Sequence, residues 1–104
     1  MDNSLTIYFR QSGGFTGMTI SLELTDDMLS RNESEHIHVL IEQASFFELQ
    51  TVDPGHSLPD QLLYRISVKT ATRQHTITIY EHQVTSELQP LIRFLRGKAR
   101  SVKR

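Results

Sequence analysis

Leu5-Thr6-Ile7-Tyr8-Phe9-Arg10, followed after Gln11 by Ser12-Gly13-Gly14-Phe15-Thr16-Gly17 and then by Met18-Thr19-Ile20-Ser21-Leu22-Glu23-Leu24, sets the architecture of the whole chain. Leu5, Ile7 and Phe9 alternate with Thr6, Tyr8 and Arg10, the period of a strand with one face buried. Met18, Ile20, Leu22 and Leu24 repeat that alternation against Thr19, Ser21 and Glu23. Two such runs joined by a glycine-rich segment predict a long hairpin whose connection is wider than a two-residue turn. Three glycines in five positions free the loop backbone for positive φ and for close approach by another surface. Phe15 at its centre has two readings. It either folds back onto the core or projects as an apolar anchor.

Working outward, Asp26 and Asp27 end the second strand. Asn32-Glu33-Ser34-Glu35 offers a helix N-cap with an acid three residues on. Ile37, Leu40, Ile41 and Ala44 then recur at helical spacing, so an amphipathic helix is expected over about residues 33–45, closed by Phe46, Phe47 and Leu49. Adjacent phenylalanines cannot both face inward on a helix, so one of the two is expected to cover a loop. Residues 51–60 contain Pro54-Gly55 and Pro59, lack any period and read as a loop.

Alternation resumes through Leu62, Tyr64, Ile66 and Val68, turns at residues 70–73, and returns with Ile77 and Ile79 on one face. Thr76, Thr78 and Tyr80 suit the solvent side of that strand. Thr85 or Ser86 is expected to cap a last helix, lined by Val84, Leu88, Leu91, Ile92 and Leu95 and stopped by Gly97. Pro90 falls in its first turn, where a missing N–H costs little. The order is therefore ββαββα: an α+β domain in which a four-stranded antiparallel sheet carries two helices on one face. If the first helix runs back antiparallel to the second strand, its C-terminal end, the loop of residues 51–60 and the connection of residues 81–85 all gather at the hairpin-loop end of the sheet; the alternative is that the long loop crosses to the far end.

The 104 residues, 38% of them hydrophobic, suffice for one domain over residues 1–97 followed by a basic, flexible tail over residues 98–104. Five of the eleven basic residues fall in the last nine positions, so six basic side chains face twelve acidic ones before position 96. The tail has no aromatic residue to stack on bases and reads as a solvated terminus, with no nucleic-acid partner expected. No cysteine is present, which removes disulfides, thiolate metal sites and cysteine nucleophiles. The first residues lack a signal-peptide pattern and no apolar run would span a membrane, so a cytoplasmic protein, monomeric when free, is expected. His36 and His38 point apart on their helix and no histidine pair has zinc-helix spacing, so neither a metal nor a cofactor is expected. Ser12 sits in no nucleophile elbow, and the glycines lack the lysine and following helix of a phosphate loop. A catalytic function is not expected.

Five blocks resemble one family. They are Arg10-x-Ser12-Gly13-Gly14-Phe15-x-Gly17, Ile41-Glu42-Gln43-Ala44-Ser45-Phe46-Phe47-Glu48-Leu49, Tyr64-Arg65-Ile66-Ser67-Val68, Arg73-Gln74-His75-Thr76-Ile77 and Leu88-Gln89-Pro90-Leu91-Ile92-x-x-Leu95. In order and together they are similar to emfourin, a small bacterial inhibitor of protealysin and related thermolysin-like metalloproteases. The resemblance implies a proteinaceous inhibitor whose partner is a bacterial protease of that kind. Such enzymes favour a large apolar side chain just after the scissile bond, which points to Ser12, Gly13, Gly14, Phe15, Thr16 and Gly17 as the contact loop. Pro54, Gly55, His56 and His82 are the second candidate contact. The competing reading is a non-inhibitory interaction module that uses the sheet face or edge.

Overall fold

The alternating runs become strands and the helical runs become helices in the computed structural model, which describes residues 5–13, 19–50 and 61–102. Strands β1 (Leu5–Gly13), β2 (Ile20–Thr25), β3 (Leu62–Thr70) and β4 (Gln74–Tyr80) form one antiparallel sheet in the order β2-β1-β3-β4. Helices α1 (Arg31–Gln43) and α2 (Gln89–Val102) complete the ββαββα order, as the pattern predicts. Cross-strand pairs Ile7↔Leu24, Ile7↔Val68, Phe9↔Leu22, Phe9↔Ile66 and Ile66↔Ile77 put the alternating apolar residues on one face. That face meets Ile37, Leu40 and Ile41 of α1 and Leu88, Leu91, Ile92 and Leu95 of α2 in a single core. Among the described residues no helix lies on the opposite face.

Helix α1 begins one half-turn earlier than expected. Ser30, not Asn32, is the N-cap: its Oγ accepts from Glu33 N at 3.1 Å, while Ser30 N donates to Glu33 Oε1 at 3.0 Å. Ser30-x-x-Glu33 and Asn32-x-x-Glu35 have the same spacing, and the earlier frame satisfies more of the orphan N–H groups of the first turn. The Ser34 hydroxyl also donates to Asp26 at 3.3 Å, tying the helix start to the end of β2.

The direction of α1 differs from the antiparallel arrangement considered above. Its C-terminal end packs beside the start of β4, where Phe46 meets the His75 ring at 5.6 Å and His75 Nε2 donates to the Leu49 carbonyl. The end of β2 and the start of β4 lie at the same end of the sheet, so α1 crosses the strands from one edge to the other. Thirteen residues of helix span about 20 Å, enough to cross three strand spacings of about 14 Å. Phe46 is fully buried, and Phe47 lies against it from outside under the Arg73 guanidinium, 4.2 Å from its ring centroid. Ser45 carries the chain out of α1 in the left-handed region, at φ 51° and ψ 45°.

Two further expectations are corrected. Gly97 does not end α2, which continues to Val102. Leu95 and Ala99 bury one turn apart, and Lys98 pairs with Glu33 of α1, so packing on both sides of the glycine outweighs its helix-breaking tendency. Tyr80 is 7% exposed rather than solvent-facing. The 3-10 turn Glu81–Gln83 folds back so that the His82 ring stacks on it, with centroids 6.0 Å apart and planes 20° from parallel. At the start of α2 the Thr85 hydroxyl accepts from Leu88 N at 3.2 Å, which selects Thr85 over Ser86 as the cap.

Candidate inhibitory end of the sheet

β1 outruns its pairing with β2. The β1–β2 register ends at Gln11↔Ile20, whereas the β1–β3 register continues through Ser12↔Leu63 to Gly13↔Leu62. The base of the hairpin loop is therefore held by β3, not by its own return strand. Gly13 sits at φ +89°, and a Cβ built on it would lie 2.3 Å from the Gln61 carbonyl oxygen. Only a residue without a side chain fits that backbone against Gln61 without displacement.

Gln61 extends the contact in the other direction. Its Nε2 donates to His82 Nδ1 at 3.1 Å, which requires the tautomer with Nδ1 unprotonated. The Tyr80 backbone N–H donates to Gln83 Oε1 at 3.0 Å and closes the turn that presents His82. Ser12, Gly13, Gln61 and the exposed His82 thus share one end of the sheet, with β4 delivering Glu81–Gln83 there through the Leu63↔Tyr80 pair. Gly13, Ile20 and Gln61 lie at this end, whereas Leu49 lies at the other end, against His75 at the start of β4. Gly14, Phe15, Thr16 and Gly17, like Pro54, Gly55 and His56, lie outside the described residues.

Sequence reasoning picked out Ser12, Gly13 and His82 but missed Gln61 and Tyr80. Nothing local to Gln61 marks it, since its role comes from β3 pairing with β1. Beneath this end, Tyr64 stacks on Phe9 at 6.0 Å and lies 6.0 Å below the Arg96 guanidinium. Burial pushes the Tyr64 phenol above its ordinary value, and the Arg96 charge partly offsets that. The side-chain oxygens of Gln11 and Gln61 are buried without a hydrogen-bond partner, so this end keeps acceptor capacity that the strands do not use.

Among the described residues no group of three or more His, Asp or Glu side chains could hold a metal ion, and no helix is long and apolar enough to cross a membrane. No curated protein and no solved structure matches the chain. A family model does match, over residues 9–96, a span that contains all five blocks quoted above and stops short of Lys98. With most of its length covered by that one model, the chain belongs to the Emfourin family.

Proposed function

We propose that this protein inhibits a thermolysin-like metalloprotease of the protealysin type by placing the loop of residues 12–17 in the active-site cleft. Phe15 enters the pocket that takes the residue after the scissile bond, and His82 and residues 54–56 contact the rim. Membership of a family of metalloprotease inhibitors supports the inhibitory role. The observation that carries the loop assignment is the anchoring of Gly13 by Leu62 and Gln61, at the end where His82 also emerges.

That anchoring bears on how an inhibitor with a glycine-rich loop escapes cleavage. A loop that must be ordered on binding loses affinity to conformational entropy, and a loose one can settle into a productive register. Here the first arm is fixed as far as Gly13 by pairing with a central strand, so the first of the three glycines is already ordered before binding. The hairpin-loop base, Gln61 and the Glu81–Gln83 turn lie together at one end, and a cleft-filling surface there needs the usual size of about 800 Å² per partner.

The test is residual peptidase activity of a protealysin-type enzyme titrated with the protein, with the inhibitor recovered and checked for cuts. Stoichiometric loss of activity with intact inhibitor is expected. Full activity at large excess overturns the assignment of target. Phe15→Ala separates anchor from core: weakened inhibition at unchanged melting temperature supports insertion, whereas a large fall in stability makes Phe15 a core residue and removes it from the interface.

A further inference from the structure

The sheet face without helices carries an arrangement that inhibition by the loop end does not use. Arg10 of β1 and Arg65 of β3 are register partners on the two central strands. Their neighbours Phe9, Tyr64 and Ile66 are buried on the helix side, so both guanidinium groups share the open face, where both residues are exposed. Directly opposed Cα atoms lie about 4.5–5.5 Å apart, and like charges so placed destabilise a sheet. Among the described residues neither arginine has a carboxylate within ion-pairing distance. Exposed positions on a sheet face accept many neutral residues, so folding does not require two cations here.

The surroundings specify what would relieve them. Arg10 and Arg65 line a trough of about 460 Å³ with Tyr8, Ser21, Glu23 and Ser67. Ser67 Oγ accepts from Thr76 Oγ1 at 2.9 Å, which leaves its own hydrogen free to donate into the trough. Tyr8 is 52% exposed, and its hydroxyl donates to Glu23 Oε2 at 3.1 Å, which fixes the ring as an apolar shelf. Glu23 makes that end unfavourable for a second acid, whereas Lys69, also exposed and further along β3, extends the positive potential. The described charges of this face are Arg10, Arg65 and Lys69 against Glu23, in a chain whose net charge is −1.

We propose that this face docks an acidic segment of a partner protein, with one carboxylate clamped between Arg10 and Arg65 and an apolar neighbour resting on Tyr8. Paired guanidinium groups match a carboxylate through charge-assisted hydrogen bonds. The trough is open along its length and holds a chain rather than enclosing a small ion. This site is independent of the loop end and requires no protease.

The test uses the full-length, isotope-labelled protein and two capped peptides, Glu-Glu-Leu-Phe and its neutral counterpart Gln-Gln-Leu-Phe. Amide shifts at Arg10, Ser21, Arg65 and Ser67 are expected with the acidic peptide. Binding should be weaker by roughly tenfold or more for the neutral peptide, the ratio expected for losing one charge-assisted contact. The double variant R10Q/R65Q should lose the preference for the acidic peptide, and the peptide comparison on the unaltered protein stands whether or not that variant folds. Equal binding of the two peptides, no shifts at millimolar acidic peptide, or shifts confined to α2 each overturn the proposal. Tighter binding of a single-stranded oligodeoxythymidine to the same residues also overturns it, since it would make the face a phosphate-backbone site.

Discussion

Gly13→Ala is expected to destabilise the protein by about 2–4 kcal/mol and to weaken inhibition beyond that loss. Two contributions make up the figure. An L-residue held at φ +89° costs on the order of 1–3 kcal/mol. The new Cβ would also lie 2.3 Å from the Gln61 carbonyl oxygen, more than 1 Å inside ordinary contact, so the strand end must part there. Losing the terminal Gly13↔Leu62 pairing removes roughly one backbone hydrogen bond, about 1 kcal/mol. For a chain of this length that total lowers the melting temperature by about 10–20 °C. Urea unfolding followed by circular dichroism measures it, with an unchanged m value showing that only stability has moved. The same substitution at Gly97 is the control. Nothing lies within 4 Å of a Cβ there, and α2 runs through it, so Gly97→Ala should stabilise by about 0.5–1 kcal/mol. If Gly13→Ala falls within about 0.5 kcal/mol of the parent, the left-handed Gly13 and its contact with Gln61 are wrong, and the anchored loop base goes with them.

Other perturbations probe separate parts of the fold. Ser45→Gly should raise stability by about 1 kcal/mol, because Ser45 occupies the left-handed region while only its backbone is used, in bonds with Glu42 and Glu48; thermal melts decide it. Hydrogen bonds from Lys98 and from the Ser30 backbone lower the Glu33 carboxyl below its ordinary 4.5, so its contribution is present above that value and is lost as pH falls through the folded value. Glu33→Gln keeps the cap, so the stability gap between it and the parent should be open near pH 7 and close as pH falls below the lowered carboxyl value; a gap that does not change with pH contradicts this. The hydrogen bond to Glu23 raises the Tyr8 phenol above 10.0, and in Glu23→Gln the phenolate absorbance of one tyrosine should appear at lower pH.

Strands with one buried face announce themselves, which is why β2, β3 and β4 were legible to within a residue or two; β1 runs three residues past the Leu5–Arg10 alternation, taking Ser12 and Gly13 out of the expected loop because they pair with Leu63 and Leu62. Each alternation is local, and one face of the sheet is covered by two helices, so the period is not blurred. The order β2-β1-β3-β4 was not legible. Pairing of Leu5–Gly13 with Leu62–Thr70 joins segments far apart in the chain, and their composition would suit several partners. The failures at Asn32 and Gly97 have a common form. In each a local signal was present, but a contact from another element decided between signals of similar strength: Asp26 at the start of α1, and Glu33 with the buried Leu95 and Ala99 in α2.

The candidate site divides along the same line. The motif around Gly13 was visible because glycine types carry backbone information in the sequence itself. Its neighbours were not, because Gln61 and His82 become neighbours of Gly13 only once β3 pairs with β1 on one side and β4 on the other. This dependence has a mechanical consequence. The loop is attached to the rigid centre of the sheet through β1 and to its edge through β2, where the pairing stops at Gln11↔Ile20. Substitutions that weaken β3–β4 at Leu63↔Tyr80 should therefore disturb His82 first, whereas those at Gly13↔Leu62 should disturb the loop tip first. Made at Leu62, Leu63 and Tyr80 rather than at Gly13, the two sets separate rim contacts from insertion without altering a residue of the proposed interface.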